Sequence, residues 1–167
     1  MTAERRRATE AEANALASGI RLRIIRLTYT EALTNKELAR RLGRDPATTL
    51  HHVRKLVDTG FLRALPERRG TRGAKEIPYL STGLSWELDD AGATSGISEA
   101  MLEAYLAEVA EVGPDALRQS RLVLRLHPAE HAEFERRLYG LLEEFKNRSP
   151  QPGESSVAVY TALYPSR

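Results

Sequence analysis

The chain has 167 residues, room for one large domain or two small ones, and 41% of them are hydrophobic, enough for a packed core. It has no Cys, which excludes disulfides, and no run of about 18 apolar residues, so no membrane span is expected. The net charge of +2 hides an asymmetry: residues 1–82 hold 17 Lys and Arg against 9 Asp and Glu, the other 85 hold 8 against 14, and a basic half beside an acidic half suggests that one end meets nucleic acid.

Residues 1–9 read as a flexible arm. The cations of MTAERRRATEAEA have no apolar stretch behind them, so the start is not a secretory signal, and a soluble cytoplasmic protein is expected. Arg5, Arg6 and Arg7 fit a solvated terminus or a DNA-contacting arm. From about residue 10 to 33 the pattern is helical, with a break at Ser18-Gly19. Leu16, Ile20, Ile24 and Leu27 share one face and should pack, while Arg21, Arg23 and Arg26 lie elsewhere on the helix.

Residues 34–62, TNKELARRLGRDPATTLHHVRKLVDTGFL, are the most informative. They read as two short amphipathic helices around a turn at Leu42-Gly43-Arg44. Thr34 with Glu37 has capping-box spacing. Leu38, Ala39 and Leu42 make an apolar stripe, and Gly43 tolerates the left-handed backbone of a sharp turn. Asp45 can cap the next helix, Pro46 fits its first position, and Gly60 ends it. Dividing that helix at about 100° per residue places Leu50, Val53, Leu56 and Val57 in the core. Thr48, His51, His52 and Lys55 fall opposite, with Arg44 and Thr49 at the rim. Short polar groups and cations on one helix face are what a major groove accepts, base edges for the first and phosphates for the second. An ordinary solvated face is the plain alternative.

A strand is predicted from Phe61 to Leu65, then a Gly-rich basic loop over 66–75, then a second apolar stretch, Ile77-Pro78-Tyr79-Leu80. This describes a hairpin wing whose Arg68, Arg69, Arg72 and Lys75 can contact phosphates or enter a minor groove.

Residues of about 14 to 88 resemble a winged helix-turn-helix of the ArsR type or its bacterial relatives. The resemblance lies in LASGIRLRIIRL (16–27), NKELA (35–39), TLHHVRKL (49–56) and TGFL (59–62), and in the order helix, helix-turn-helix, Gly-hydrophobe, basic hairpin. It covers a little under half of the chain. It implies a recognition helix over His52-Val53, with DNA contacts from Thr48, Thr49, His51, His52 and Lys55. Thiol metal sensors of the family carry Cys pairs near the helix matching residues 35–42; this chain has none, so a thiolate site is excluded.

Residues 89–98 are small, polar and Gly-containing, and read as a linker. Just before it, residues 84–88 alternate like a short extended segment, and Trp86, the only Trp, reads as a packing anchor. An amphipathic helix follows from Ser98 through Met101, Tyr105 and Val109 to Gly113-Pro114. Residues 121–126 alternate like a strand, a helix runs from Pro128 to about Arg148, and residues 157–164 read as a closing strand. The expected fold class is α+β: an N-terminal winged helix-turn-helix over 10–88, then a helix-strand-helix-strand module over 99–167. In similar regulators such an appended region looks like a dimerisation or signal-input part.

Three further sites can be weighed. His127 and His131 with Glu130 and Glu135 carry metal-ligand chemistry, but the spacing is not HExxH, and a helix entrance with a solvated face explains them better. Trp86, Met101, Tyr105, Phe134 and Tyr160 could line a pocket for a small-molecule effector, although aromatics at such spacing are ordinarily core. Ser155-Ser156 has no His-Asp partner and no nucleophile turn, and there is no phosphate loop or dinucleotide fingerprint. No enzyme, cofactor or metal is expected. The sequence therefore points to a homodimeric regulator binding double-stranded DNA at a roughly palindromic operator. A low-specificity architectural DNA binder and a winged-helix protein-interaction module are the alternatives.

Overall fold

The computed structural model describes residues 5–70, 73–89, 95–149, 151–153 and 155–166. Its contacts divide the chain into two units, Glu4–Ala116 and Leu117–Arg167.

The first unit begins with strand β1 (Arg6–Arg7), which pairs in parallel with β7 (Leu88–Asp89). Residues 5–9 are thus held in the fold and do not form the expected free arm. The tie is electrostatic as well. Helix α1 (Glu10–Leu16) opens on a capping box in which Glu12 accepts from the Thr9 amide at 2.8 Å, and the Arg6 guanidinium grips the same carboxylate at 2.5 and 2.8 Å. Arg6 first, and then Thr9, outweigh the cost of burial and hold the Glu12 carboxyl at about 2 instead of 4.5. A depressed carboxyl pKa contributes stability that is present above pH 4.5 and is lost as pH falls toward 2. With the Arg6 side chain half-exposed, the contribution is about 1–2 kcal/mol. Glu12→Gln is therefore expected to unfold at lower urea near pH 7, with the gap to the parent closing between pH 4.5 and 2. A gap that stays constant with pH would refute the assignment.

The predicted break at Ser18-Gly19 is observed: α1 stops at Leu16 and α2 (Gly19–Leu27) starts anew. Arg21 closes the end of α1 by donating to the carbonyls of Ala15 and Asn14 at 2.5 and 2.7 Å. Helix α3 (Asn35–Leu42) has its capping box between Thr34 and Glu37, and ends at Gly43 with φ +61°, where an L side chain would be strained. Helix α4 (Pro46–Asp58) is capped by Asp45, whose carboxylate accepts from the amides of Ala47 and Thr48 at 2.9 and 3.0 Å. The Asn35 side-chain Nδ2 donates to the Pro46 carbonyl at 2.8 Å, fixing the start of α3 against the start of α4.

The wing has two parts. Strands β3 (Leu62–Ala64) and β6 (Pro78–Ser81) form its antiparallel base, and β4 (Arg68–Arg69) and β5 (Lys75–Glu76) its outer end. A third strand that the sequence did not reveal, β2 (Leu33–Thr34), joins the base in the order β2-β6-β3. Two residues are too few to show a period of two. The segment predicted as extended, 84–88, starts as a 3₁₀ turn over Leu84–Trp86 before β7. The core of the unit collects Ile24, Leu33, Leu38, Val53, Leu56 and Phe61, each 0–1% exposed.

Helix α5 (Ser95–Val112) packs on α2. The sequence placed its first residues in a linker and the rest with the C-terminal module; the structure places it with the helix-turn-helix. Ile97, Ala100 and Ala104 are buried, Arg23 pairs with Glu111 and Arg26 with Glu108. These two arginines are therefore structural. Several large apolar residues of α5 face out, Leu102 being 47% exposed, Leu106 56% and Val112 62%, although Ile97 is buried. With Ala100 and Ala104 inward and these residues outward, a periodicity reading misses the helix's inner face.

The second unit is built on α6 (Pro128–Lys146). Residues 121–126 and 157–164, expected as strands, enter no ladder among the described residues. Both alternate as strands do, but an isolated pair of strands is marginal in water without a covered face. The mixed helix-and-sheet class holds, with its sheets among the described residues confined to the first unit.

Candidate nucleic-acid interface

Helix α4 has a sharply two-sided surface, close to the one that apolar periodicity indicated. Thr49, Val53 and Leu56 are the buried stripe, while Leu50 and Val57 are only half-buried. Thr49, predicted at the DNA rim, is 1% exposed, and its hydroxyl donates to the Asp45 carbonyl at 2.9 Å. It is a core residue, since a threonine can bury its methyl once its hydroxyl finds a backbone acceptor. The exposed line is Ala47, Thr48, His51, Arg54 and Asp58. Arg44 is exposed at the entrance of the helix, and Lys55 is half-buried on its flank.

Burial separates the two histidines. His51 is exposed at the centre of the outer face. His52 is half-buried, with a buried Nδ1 that has no hydrogen-bond partner among the described residues. Burial first, and then the charge of Arg21, lowers its pKa from the ordinary histidine value and favours the neutral ring. The ring edges meet at 5.9 Å between centroids. Arg54 was passed over in the sequence, although its spacing of three residues from His51 was available as a signal. Val53 and Leu56 are core, Val57 packs against it, and Thr48 and His51 face out, all as the periodicity indicates; the reading differs at Leu50, which is only half-buried, at Thr49, which is buried, and at Arg54, which is exposed.

The four wing cations do not stand alike. Arg68 is bound at 2.8 Å to both oxygens of the Glu37 carboxylate, the same carboxylate that caps α3. The Thr34 amide first and, to a smaller degree, Arg68 lower the pKa of that carboxyl from its ordinary value against the opposing cost of burial. The pair fixes the outer wing to the helix-turn-helix at the expense of one free cation. Lys75 crosses the hairpin to Glu67 at 3.1 Å, both largely exposed. Arg69 has no ion pair among the described residues. Arg72 lies outside them.

The remaining candidates separate. Trp86 is covered by the Arg5 guanidinium at 4.2 Å, and Met101 is 37% exposed, which suits a surface and not a pocket wall. Tyr105 belongs with them to the first unit, and Phe134 and Tyr160 belong to the second. His127 opens α6, its amide donating to Glu130 at 2.7 Å, and His131 pairs with Glu135 at 3.6 Å on the exposed helix. No group of three metal-ligand side chains occurs among the described residues. No described helix is long and apolar enough to cross a membrane.

Charge follows this division. Residues 83–116 contain eight Asp and Glu and no Lys or Arg, whereas 117–167 hold six against eight. The acidity read in the second half therefore belongs to α5 and the segment before it, within the unit that carries the wing.

Residues 16–63 match the family model of a helix-turn-helix domain. This is the segment from the end of α1 through α2, α3 and α4 into β3. Solved structures similar to the chain include three of ZitR from Lactococcus lactis. A single-mutant form is 20% identical, with 75% of this chain and 73% of that one covered and a TM-score of 0.33. A double mutant in its apo form is 20% identical, covers 80% and 86%, and has a TM-score of 0.33. The same double mutant in another structure is 18% identical, covers 86% of each chain, and has a TM-score of 0.35. No curated protein matches the chain.

Proposed function

We propose that this helix-turn-helix chain is a sequence-specific transcriptional regulator that binds double-stranded DNA as a homodimer. The observation that carries the reading is the outer face of α4, where Thr48, His51 and Arg54 stand exposed on a helix pinned at its entrance by Asp45 and by the Asn35 contact. In a major groove, Arg54 reads guanine, and His51 and Thr48 offer short donors and acceptors to base edges. Arg44, Lys55, Arg69 and Arg72 supply phosphate contacts, and Arg68 and Lys75 hold the wing in shape for them. His52 acts from behind, supporting the face. The acidic stretch 83–116 repels phosphate and so orients the basic side toward DNA.

One such helix offers few base contacts, so two copies on a roughly palindromic operator, about 34 Å apart, complete the specificity. The resemblance to the ArsR type favours the same arrangement in a cytoplasmic, non-enzymatic regulator. A small-molecule effector acting through the C-terminal region belongs to this reading as well.

Footprinting against genomic fragments tests it: a regulator protects a defined two-fold site. Uniform protection would indicate an architectural binder, and no retention on DNA a protein-interaction module. Arg69→Ala is expected to weaken operator and random DNA alike and to flatten the salt dependence by about one unit of log-log slope. An unchanged slope would remove the wing from the phosphate contacts.

A further inference from the structure

The wing is built in two pieces, and only the inner one is anchored by burial. Its base, β3 with β6, is set on the core by the buried Phe61, Leu62 and Pro78. The outer end, β4 with β5, is a separate ladder. Residues 66–76 contain no large apolar side chain, and Ile77, between β5 and the base, is 40% exposed. Nothing hydrophobic therefore sets the direction of the outer wing. Among the described residues, one ion pair joins it to the helices: Arg68 Nη2 donates to both oxygens of the Glu37 carboxylate at 2.8 Å. The contacts of Lys75 with Glu67 and of Gly70 with Ala74 stay inside the hairpin.

Glu37 comes to this pair already fixed. Its carboxylate accepts from the Thr34 amide at 2.8 Å and from the Thr34 hydroxyl at 2.9 Å. Thr34 lies in β2, in register with Pro78 of the wing base, and Asn35 beside it holds the start of α4 through the Pro46 carbonyl. The short segment 34–37 thus touches the wing base, the entrance of α4 and the outer wing.

We propose that Glu37 is a positioning residue for DNA: through Arg68 it sets the outer wing relative to α4, so that Arg69 meets a phosphate while α4 occupies the groove. The inference rests on the DNA-binding reading above and adds to it an anion that strengthens binding. Ordinarily the opposite holds, because a carboxylate beside DNA-contacting elements repels phosphate and its removal tightens binding to any sequence. An exposed ion pair is weak by itself. It decides the direction of the outer wing because no buried side chain there competes with it. Glu37 is also held by Thr34, so only the Arg68 side chain has to be ordered.

The test reads affinity and its salt dependence on mixed-sequence duplex DNA of about 30 base pairs, for the full chain, Glu37→Gln, Arg68→Gln and the double variant. Gln is also accepted at the third position of a capping box, so circular dichroism of Glu37→Gln should match the parent. Glu37→Gln is expected to bind about three- to fivefold more weakly than the parent, with a salt slope no steeper, because the wing is less often in place. In the Arg68→Gln background the sign should reverse. There Glu37 has no partner on the wing and acts only as an anion, so Glu37→Gln tightens binding. A capping defect would weaken binding in both backgrounds alike, and that result overturns the inference. So does a Glu37→Gln chain that binds as tightly as the parent or more tightly, as it would if Arg68 were simply released to reach a phosphate. Either result leaves the DNA-binding reading standing. A parent chain that the DNA does not retain overturns both.

Discussion

Phe61→Ala is expected to lower the unfolding free energy of the helix-turn-helix unit by about 3–5 kcal/mol. Phe61 is 1% exposed and belongs to the cluster formed with Leu33, Leu38, Val53 and Leu56. It also sits at a junction. Gly60, at φ +80°, turns the chain out of α4, the Phe61 amide donates to the Leu56 carbonyl at 2.9 Å, and its own carbonyl accepts from the Thr82 amide at 3.0 Å. Removing the ring leaves a cavity under α4 that backbone bonds on both sides prevent from closing. Total stability for a domain of this size is about 5–15 kcal/mol, so the variant approaches the unfolding threshold at 37 °C. Urea unfolding followed by circular dichroism checks this. A loss below about 1 kcal/mol would show that the site collapses freely and that the base of the wing is not rigidly joined to α4.

The second large effect concerns specificity. His51→Ala and Arg54→Ala are each expected to reduce the preference for operator over random DNA by about 1–3 kcal/mol, while leaving folding stability within about 0.5 kcal/mol because both side chains are exposed. Thr49→Val separates this from the alternative orientation of the helix: Thr49 is buried with its hydroxyl bound to the Asp45 carbonyl, so its loss should cost stability and not discrimination. Competition binding at fixed salt reads both quantities. If Thr49→Val relaxed discrimination and His51→Ala did not, the proposed recognition face would be wrong.

The family resemblance and the helix-turn-helix were legible because their signals are local. A capping box, an Asp-Pro helix start and glycines at required left-handed turns depend on residues a few positions apart. Arg54 was passed over and Thr49 was misassigned because a half-buried Leu50 looks the same in sequence as a buried one. The tether of the N-terminal residues was not legible, since Arg6 meets Leu88 across more than eighty residues.

The sequence by itself determined where the helices of the recognition motif begin and end, that a basic hairpin follows them, and that cations gather in the first 82 residues. Short-range sterics, capping hydrogen bonds and composition are sufficient for that. Only the tertiary structure decided that Thr49 of α4 is buried while Arg54 faces outward, which wing arginine is held by Glu37, and that α5 belongs with the helix-turn-helix. Those outcomes depend on which surfaces meet at long range, where burial and ion pairing favour one packing over others that local propensity leaves equal.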